Sequence, residues 1–108
     1  MNSKPVFSLP EVEAGLREAM KHYDSWHPRG REHFLQKYDD TVNWIEWNPG
    51  GFPRKYGRVQ RAILIKSYYV AYFIQERERT LILAVLDARR APSTVREIVA
   101  TRKPANPP

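Results

Sequence analysis

The sequence predicts an α+β fold, in which an N-terminal antiparallel helical hairpin packs on a small, mainly antiparallel sheet of three to four strands. Apolar residues recur at helical spacing in the first half of the chain. Three runs rich in β-branched and aromatic residues follow one another in the second half. At 108 residues, of which 42% are hydrophobic, the chain has room for one modest core. We expect a single domain over residues 1–102 and a flexible C-terminal tail over residues 103–108.

Two helices are predicted before residue 50. The sequence Ser8-Leu9-Pro10-Glu11 has the form of a capping box, and helically spaced apolar residues follow it, so we expect a helix from about residue 9 to 24. A second helix is expected from about residue 28 to 47, because Pro28 interrupts the first and Asn48-Pro49-Gly50-Gly51 ends the second. Only a few residues join the two helices, which predicts an antiparallel hairpin.

The strands follow from composition and alternation. The three predicted strands span residues 59–65, 68–74 and 80–86. Their short connections favour antiparallel pairing. The third strand is apolar on both faces, so it should lie centrally with one face against the hairpin. Residues 5–7 are expected to form a short edge strand and residues 52–57 a loop, and a short helix should follow Pro92.

Several classes of site and location are disfavoured by composition. The chain has no cysteine, which excludes disulfides, thiolate metal sites and cysteine nucleophiles. His22, His27 and His33 do not have the spacing of a zinc motif, so we expect neither a metal nor a cofactor. The first residues lack the apolar core of a signal peptide, and no apolar run is long enough to span a bilayer. We therefore expect a cytoplasmic protein without a membrane partner.

Positive charge is concentrated in the second half of the chain. The net charge is +6 overall, made up of −2 over residues 1–50 and +8 over residues 51–108. Such a basic half can attract nucleic acid or an acidic protein, and it can equally be a solvated surface.

Three arginines are the first candidates for function. Arg61 lies on the first of the three predicted strands, and Arg89 and Arg90 lie at the end of the third. If these strands are neighbours, the guanidinium groups can converge on one end of the sheet and bind phosphate. In the alternative interpretation, Arg61 pairs with Glu46 or Asp87 and joins sheet to helix.

Two further groups can contact a target or a partner. The basic residues Arg54, Lys55 and Arg58 surround Tyr56, an arrangement that can hold phosphates and stack on bases. Trp44 and Trp47 lie near the end of the second helix. Exposed tryptophans there can anchor a partner chain, although Trp44 can equally pack under the following loop.

The order of these elements, together with three local motifs, resembles the ParE/RelE superfamily of small toxins. The motifs are Asn48-Pro49 after the second helix, Tyr68-Tyr69-Val70-Ala71-Tyr72, and the run from Ile82 to Pro92 that contains Arg89-Arg90. The resemblance covers roughly residues 6–100. It implies the toxin of a type II toxin–antitoxin module, which a cognate antitoxin neutralises by lying along the toxin surface.

The resemblance leaves the target open between two branches. The RelE branch cleaves mRNA on the ribosome with basic residues and a tyrosine or histidine, which here would be Arg61, Arg89, Arg90 and Tyr72 or Tyr68. The ParE branch inhibits DNA gyrase and is not known as a nuclease. Tyr69 stands where RelE-type proteins usually carry arginine, and Asp87 stands where many carry histidine or a basic residue.

Neither tyrosine nor histidine follows Arg90, so a proton donor of the RelE kind is missing there. The sequence therefore favours a ParE-like gyrase inhibitor with no catalytic residue. A RelE-like mRNA endoribonuclease and a non-toxic nucleic-acid-binding module are the alternatives. The expected partners are an acidic or amphipathic antitoxin and DNA gyrase, or the ribosome and mRNA in the alternative.

Overall fold

The computed structural model describes residues 3–104 and confirms the α+β class. The helices in this range are α1 (Val12–Asp24), α2 (Gly30–Trp47) and α3 (Pro92–Arg102). The strands are β1 (Val6–Ser8), β2 (Arg54–Tyr56), β3 (Val59–Ile63), β4 (Tyr69–Gln75) and β5 (Thr80–Asp87). A short 3-10 turn, Pro49–Gly51, links α2 to the sheet. Of the predicted C-terminal tail, residues 105–108 lie outside the described residues.

The sheet has the order β1-β5-β4-β3-β2, in which β1 runs parallel to β5 and the other neighbours are antiparallel. It contains five strands rather than three or four, because the prediction of a loop at residues 52–57 is wrong. Residues 54–56 form β2, and Gly57, with φ of +56°, turns the chain back into β3. Glycine is suited to this turn because it has no Cβ to clash at positive φ.

The predicted capping box does not form. Ser8 lies in β1 opposite Ile82, and the Leu9 amide donates a hydrogen bond to the Ile82 carbonyl. Helix α1 therefore begins only at Val12, and Glu11 at its N-cap makes no side-chain capping bond. Pairing with β5 captures the residues that the local pattern assigns to the helix.

Helices cover both faces of the sheet. The hairpin of α1 and α2 packs on one face, where Phe34 and Ile45 meet alternate residues of β4, and α3 covers the other face through Val95 and Val99. Strand β5 is buried on both sides as predicted, although β4 is the central strand. Because Gly15 has no side chain, α1 can approach the backbone of β5 at Val85 closely.

A bulge in β5 sets which side chains face each layer. Tyr72 lies opposite Ala84 and Phe73 lies opposite Ile82, so Leu83 has no partner on β4. Leu83 and Ala84 consequently belong to the same core cluster, on the α3 side. The bulge accounts for an apolar run without simple alternation.

Among the described residues, none of the helices combines the length and apolar character needed to cross a bilayer.

Candidate functional site

The two arginines after β5 are each held by a carboxylate. The Nε and Nη2 atoms of Arg89 donate to the two carboxylate oxygens of Asp87 at 3.0 and 2.8 Å, and the Arg89 amide also donates to Asp87 at 2.9 Å. These hydrogen bonds from Arg89 lower the pKa of Asp87. Arg90 donates to both oxygens of Glu18 on α1 at 3.1 and 3.2 Å. Both guanidinium groups are thus committed to ion pairs within the chain.

Arg61 lies elsewhere on the sheet. It is opposite Tyr72, which is opposite Ala84, whereas Asp87 is opposite Tyr69. Three residues along a strand correspond to roughly 10 Å, and β4 lies between β3 and β5, which puts these two strands about 10 Å apart as well. The structure therefore does not bring Arg61 to the end of the sheet that carries the paired arginines. Within residues 3–104, Arg61 forms no salt bridge with Glu46 or with Asp87, so the alternative interpretation is wrong as well.

Arg61 instead belongs to a group that we call the tyrosine cluster, which comprises Tyr56, Tyr72, Lys55, Arg61 and Arg96. The rings of Tyr56 and Tyr72 are stacked, with centroids 6.4 Å apart and an angle of 26° between them. The Lys55 ammonium lies 5.8 Å from the Tyr56 ring centre, and the Arg96 guanidinium lies 5.4 Å from it. Arg96 was missed from the sequence, because only the packing of α3 on the sheet brings it to Tyr56.

The electrostatics of the tyrosine cluster favour anions. Burial, together with neighbouring Tyr56, raises the pKa of Tyr72, while nearby Arg61 opposes the rise. Residues 51–75 contain five lysines and arginines and no carboxylate. Among residues 3–104, Arg54, Lys55, Arg58, Arg61 and Arg96 have no salt bridge. Three of these cations, Lys55, Arg61 and Arg96, lie beside the stacked rings, an arrangement that can bind phosphate groups or an acidic chain.

Arg54 and Arg58 flank the cluster differently. Arg54 is exposed on β2, opposite Gln60. Arg58 is half-buried at the β2–β3 turn, and its Nε atom is buried without a hydrogen-bond partner. Arg58 therefore has an unused donor close to the free cations of β2 and β3.

The two tryptophans form an exposed pair near the end of α2. Trp44 is 56% exposed and Trp47 is 49% exposed, and their rings meet edge to face with centroids 5.8 Å apart. Trp44 also borders a shallow apolar groove, here called the Trp44 groove, whose other walls are Thr41, Phe52, Ile63 and Ile65. Pairing of β2 with β3 stops at Gln60, so no strand among the described residues lies beside Ile63 on this side. Large exposed apolar side chains at such an edge are suited to a partner chain.

The histidines lie around α1 and α2. The rings of His27 and His33 are 4.8 Å apart, and His22 lies 5.4 Å from the ring of Trp26. Within residues 3–104, no group of three histidine or carboxylate side chains is placed to hold a metal ion.

Comparison with known proteins identifies the fold. No protein-family model matches the sequence, and no curated protein matches it. Among solved structures, a chain of the "Chromosomal ParDE TA system from P. aeruginosa" has a similar fold, with a TM-score of 0.60 over 78% of this chain and 95% of that chain. The two sequences are 19% identical over this match. The likeness confirms the ParE-like fold that the sequence motifs predict.

Proposed function

We propose that this chain is the toxin of a type II toxin–antitoxin system, which acts in the cytoplasm by inhibiting DNA gyrase and is neutralised by a cognate antitoxin. The observation that supports this proposal most is the fold shared with a chain of a ParDE system over 95% of that chain. The sequence motifs at Asn48-Pro49 and Arg89-Arg90, which resemble those of the ParE/RelE superfamily, also support it.

The state of the candidate catalytic residues favours a protein target over RNA. Cleavage of RNA requires groups that accept and donate protons at the reacting atoms. Tyr72 is only 3% exposed and its pKa is raised by burial, so it is a poor proton donor to a strand bound at the surface. Arg89 and Arg90 are already paired with carboxylates. Arg61 can still stabilise charge, but Tyr72, which lies opposite it, is buried.

A RelE-like mRNA endoribonuclease is the second candidate, and one observation favours it. Arg61 and Tyr72 lie directly opposite each other on adjacent strands, and Arg96 adds a further cation near Tyr56. In that case Arg61 and Tyr72 would be catalytic. Arg89 and Arg90 would support the sheet end through their carboxylate partners. A non-toxic nucleic-acid-binding module on the same fold would use the same cations without cleavage.

The Trp44 groove is the surface that we assign to the antitoxin. Its exposed Trp44, Ile63 and Ile65 side chains supply apolar contact, and the adjacent cations of β2 and β3 supply charge. An antitoxin segment with large apolar side chains and flanking carboxylates would complement both features.

Controlled expression in a bacterium tests the proposal. We expect growth arrest, induction of the DNA-damage response and intact mRNA, and the purified chain should inhibit DNA supercoiling by gyrase. New codon-phased mRNA ends that disappear in Arg61→Ala, but persist in the exposed control Arg77→Ala, would establish the nuclease instead. Normal growth with salt-sensitive nucleic-acid binding would leave the binding module.

The antitoxin interface has its own test. Trp44→Ala should leave growth arrest intact and weaken rescue by the co-expressed antitoxin. Trp26→Ala removes a tryptophan outside the groove that is more exposed than Trp44, and it should leave rescue unchanged. Equal rescue of both variants would exclude the Trp44 groove as the antitoxin site.

A further inference from the structure

A small aromatic pocket lies between the end of α1 and the β3–β4 turn, away from the tyrosine cluster. Its volume is about 110 Å³, and its walls include His22, Tyr23, Trp26, Lys66, Tyr68 and Tyr69. We propose that this pocket binds one unpaired base of a single-stranded nucleic acid, while Lys66 contacts the adjacent phosphate. The inference goes beyond the proposed function, because it concerns strand binding by the purified chain whatever its cellular target.

The pocket has an excess of exposed aromatic surface. Trp26 is 73% exposed and Tyr68 is 56% exposed, so neither ring is used up in packing the core. His22 lies between the exposed and buried rings, with centroids 5.4 Å from Trp26 and 6.4 Å from Tyr69. A closed cavity of about 150 Å³ takes up benzene. A pocket of similar size that opens to solvent can therefore receive one flat ring and leave its substituents outside.

The ring of Tyr68 is positioned by the guanidinium group of Arg89. The Arg89 guanidinium lies 4.3 Å from the Tyr68 ring centre, and Asp87 fixes that guanidinium through two hydrogen bonds. Contact of a cation with an aromatic face is attractive and orients both groups. We therefore assign Arg89 a positioning role for Tyr68 at this pocket.

The turn that carries Lys66 is fixed and strained. The Ser67 hydroxyl donates to the Leu64 carbonyl at 3.0 Å and accepts from the Tyr69 amide at 3.0 Å. Lys66 has φ of +55°, and it is the one non-glycine residue with positive φ among residues 3–104. A side chain in this conformation costs roughly 1–2 kcal/mol, which glycine would avoid. Because Lys66 also lines the pocket, we assign its ammonium group to the phosphate of the bound strand.

The charges around the pocket favour an anionic ligand. The nearby carboxylates of Glu18, Asp24 and Asp87 are each paired with an arginine, whereas Lys66 has no salt bridge within the described part of the chain. Aromatic rings beside a free cation are the combination that stacks on bases and holds phosphates in single-strand binding. An aromatic side chain from a partner protein would use the rings but not Lys66. A nucleotide uses both.

Binding of a fluorescein-labelled 12-nucleotide oligo-uridine to the purified chain, followed by anisotropy at several salt concentrations, tests the assignment. Trp26→Ala and Tyr68→Ala should each weaken binding by roughly five- to 150-fold, the range found when a stacked aromatic is removed. Trp47→Ala removes an exposed tryptophan far from the pocket and should bind as the unchanged chain does. A duplex of the same length should compete poorly, because its bases are not free to enter.

Lys66→Gly separates the role of the charge from that of the fold. It should raise the melting temperature, because glycine suits φ of +55°, and still weaken binding and reduce the salt slope by about one counterion. Arg77→Ala removes one positive charge from an exposed turn, and it should change the affinity and the salt slope less than Lys66→Gly does. Equal affinity of the Trp26, Tyr68 and Trp47 variants would overturn the proposal. So would equal binding of the duplex, or the absence of oligonucleotide binding.

Discussion

Replacing Gly15 with alanine tests how α1 is seated on the sheet. In the middle of an exposed helix this change stabilises a protein by about 0.5–1 kcal/mol, because alanine is the better helix former. Here an added Cβ would lie 2.4 Å from the backbone oxygen of Val85. A backbone atom cannot rotate away, so α1 must move by about 1 Å to restore an ordinary contact. Overpacking of this kind typically costs about 1–3 kcal/mol. We therefore expect Gly15→Ala to lower the free energy of unfolding by about 1–2 kcal/mol.

The sign of this change is the decisive measurement. Urea unfolding of Gly15→Ala should be compared with that of Ala14→Gly, which changes the neighbouring exposed position and reports helix propensity alone. A loss of about 1 kcal/mol corresponds to roughly 4–8 °C in melting temperature for a domain of this size. If Gly15→Ala stabilises the chain by as much as Ala14→Gly destabilises it, α1 does not approach β5 at this point. The arrangement of Glu18 and His22 on that helix would then need revision.

Three further changes give outcomes of known sign. Asp87→Asn should make the loss of stability in acid shallower. Hydrogen bonds from Arg89 lower the pKa of Asp87 in the folded chain. The stability that Asp87 contributes is therefore present above about pH 4 and is lost as pH falls through the folded pKa. Urea midpoints between pH 2 and pH 7 measure this, and an unchanged acid limb would contradict it. Burial raises the pKa of Tyr38 to about 12, so the unfolded chain ionises first and stability should fall from about pH 10 to 12. Tyr38→Phe should make that fall shallower, and an identical alkaline slope would count against a buried phenol. Thr80 is fully buried and its hydroxyl has no hydrogen-bond partner, so Thr80→Val should raise the free energy of unfolding by about 1 kcal/mol, whereas Thr80→Ser keeps the hydroxyl and should lower it.

Much of the fold could be predicted because its signals are local. The helical spacing and the Asn48-Pro49 stop placed the end of α2, which the structure confirms at Trp47. The apolar runs placed β3, β4 and β5 to within two residues at each end. The errors lie where distant pairing decides the structure. The short polar strand β2 exists because β3 offers it an edge, and the residues before α1 are taken by β5 rather than by a capping box.

The candidate site was less predictable, because it depends on register and on contacts between distant segments. Pairing of Arg89 with Asp87 joins residues two positions apart, so it was accessible from the sequence, whereas pairing of Arg90 with Glu18 joins residues 72 positions apart. The register between β3 and β4 places Tyr72 opposite Arg61, and the order of the strands places β4 between Arg61 and the end of β5. Strand register and strand order are not specified by a periodic pattern in the sequence.

The division between paired and free cations indicates where an anionic partner should bind. A phosphate or carboxylate arriving at Arg89 and Arg90 meets guanidinium groups whose charge Asp87 and Glu18 already neutralise. Surface ion pairs are worth little, about 0–1 kcal/mol, so each can open, but the released carboxylate would then stand beside the incoming anion and repel it. Along β2, β3 and the following turn the cations have no salt bridge within residues 3–104, and no carboxylate occurs between residues 51 and 75. An anion there gains attraction without breaking a contact. The basic character of the second half of the chain should therefore act mainly through β2, β3 and Lys66, and the two arginines that the sequence makes most conspicuous should act mainly in holding the end of the sheet together.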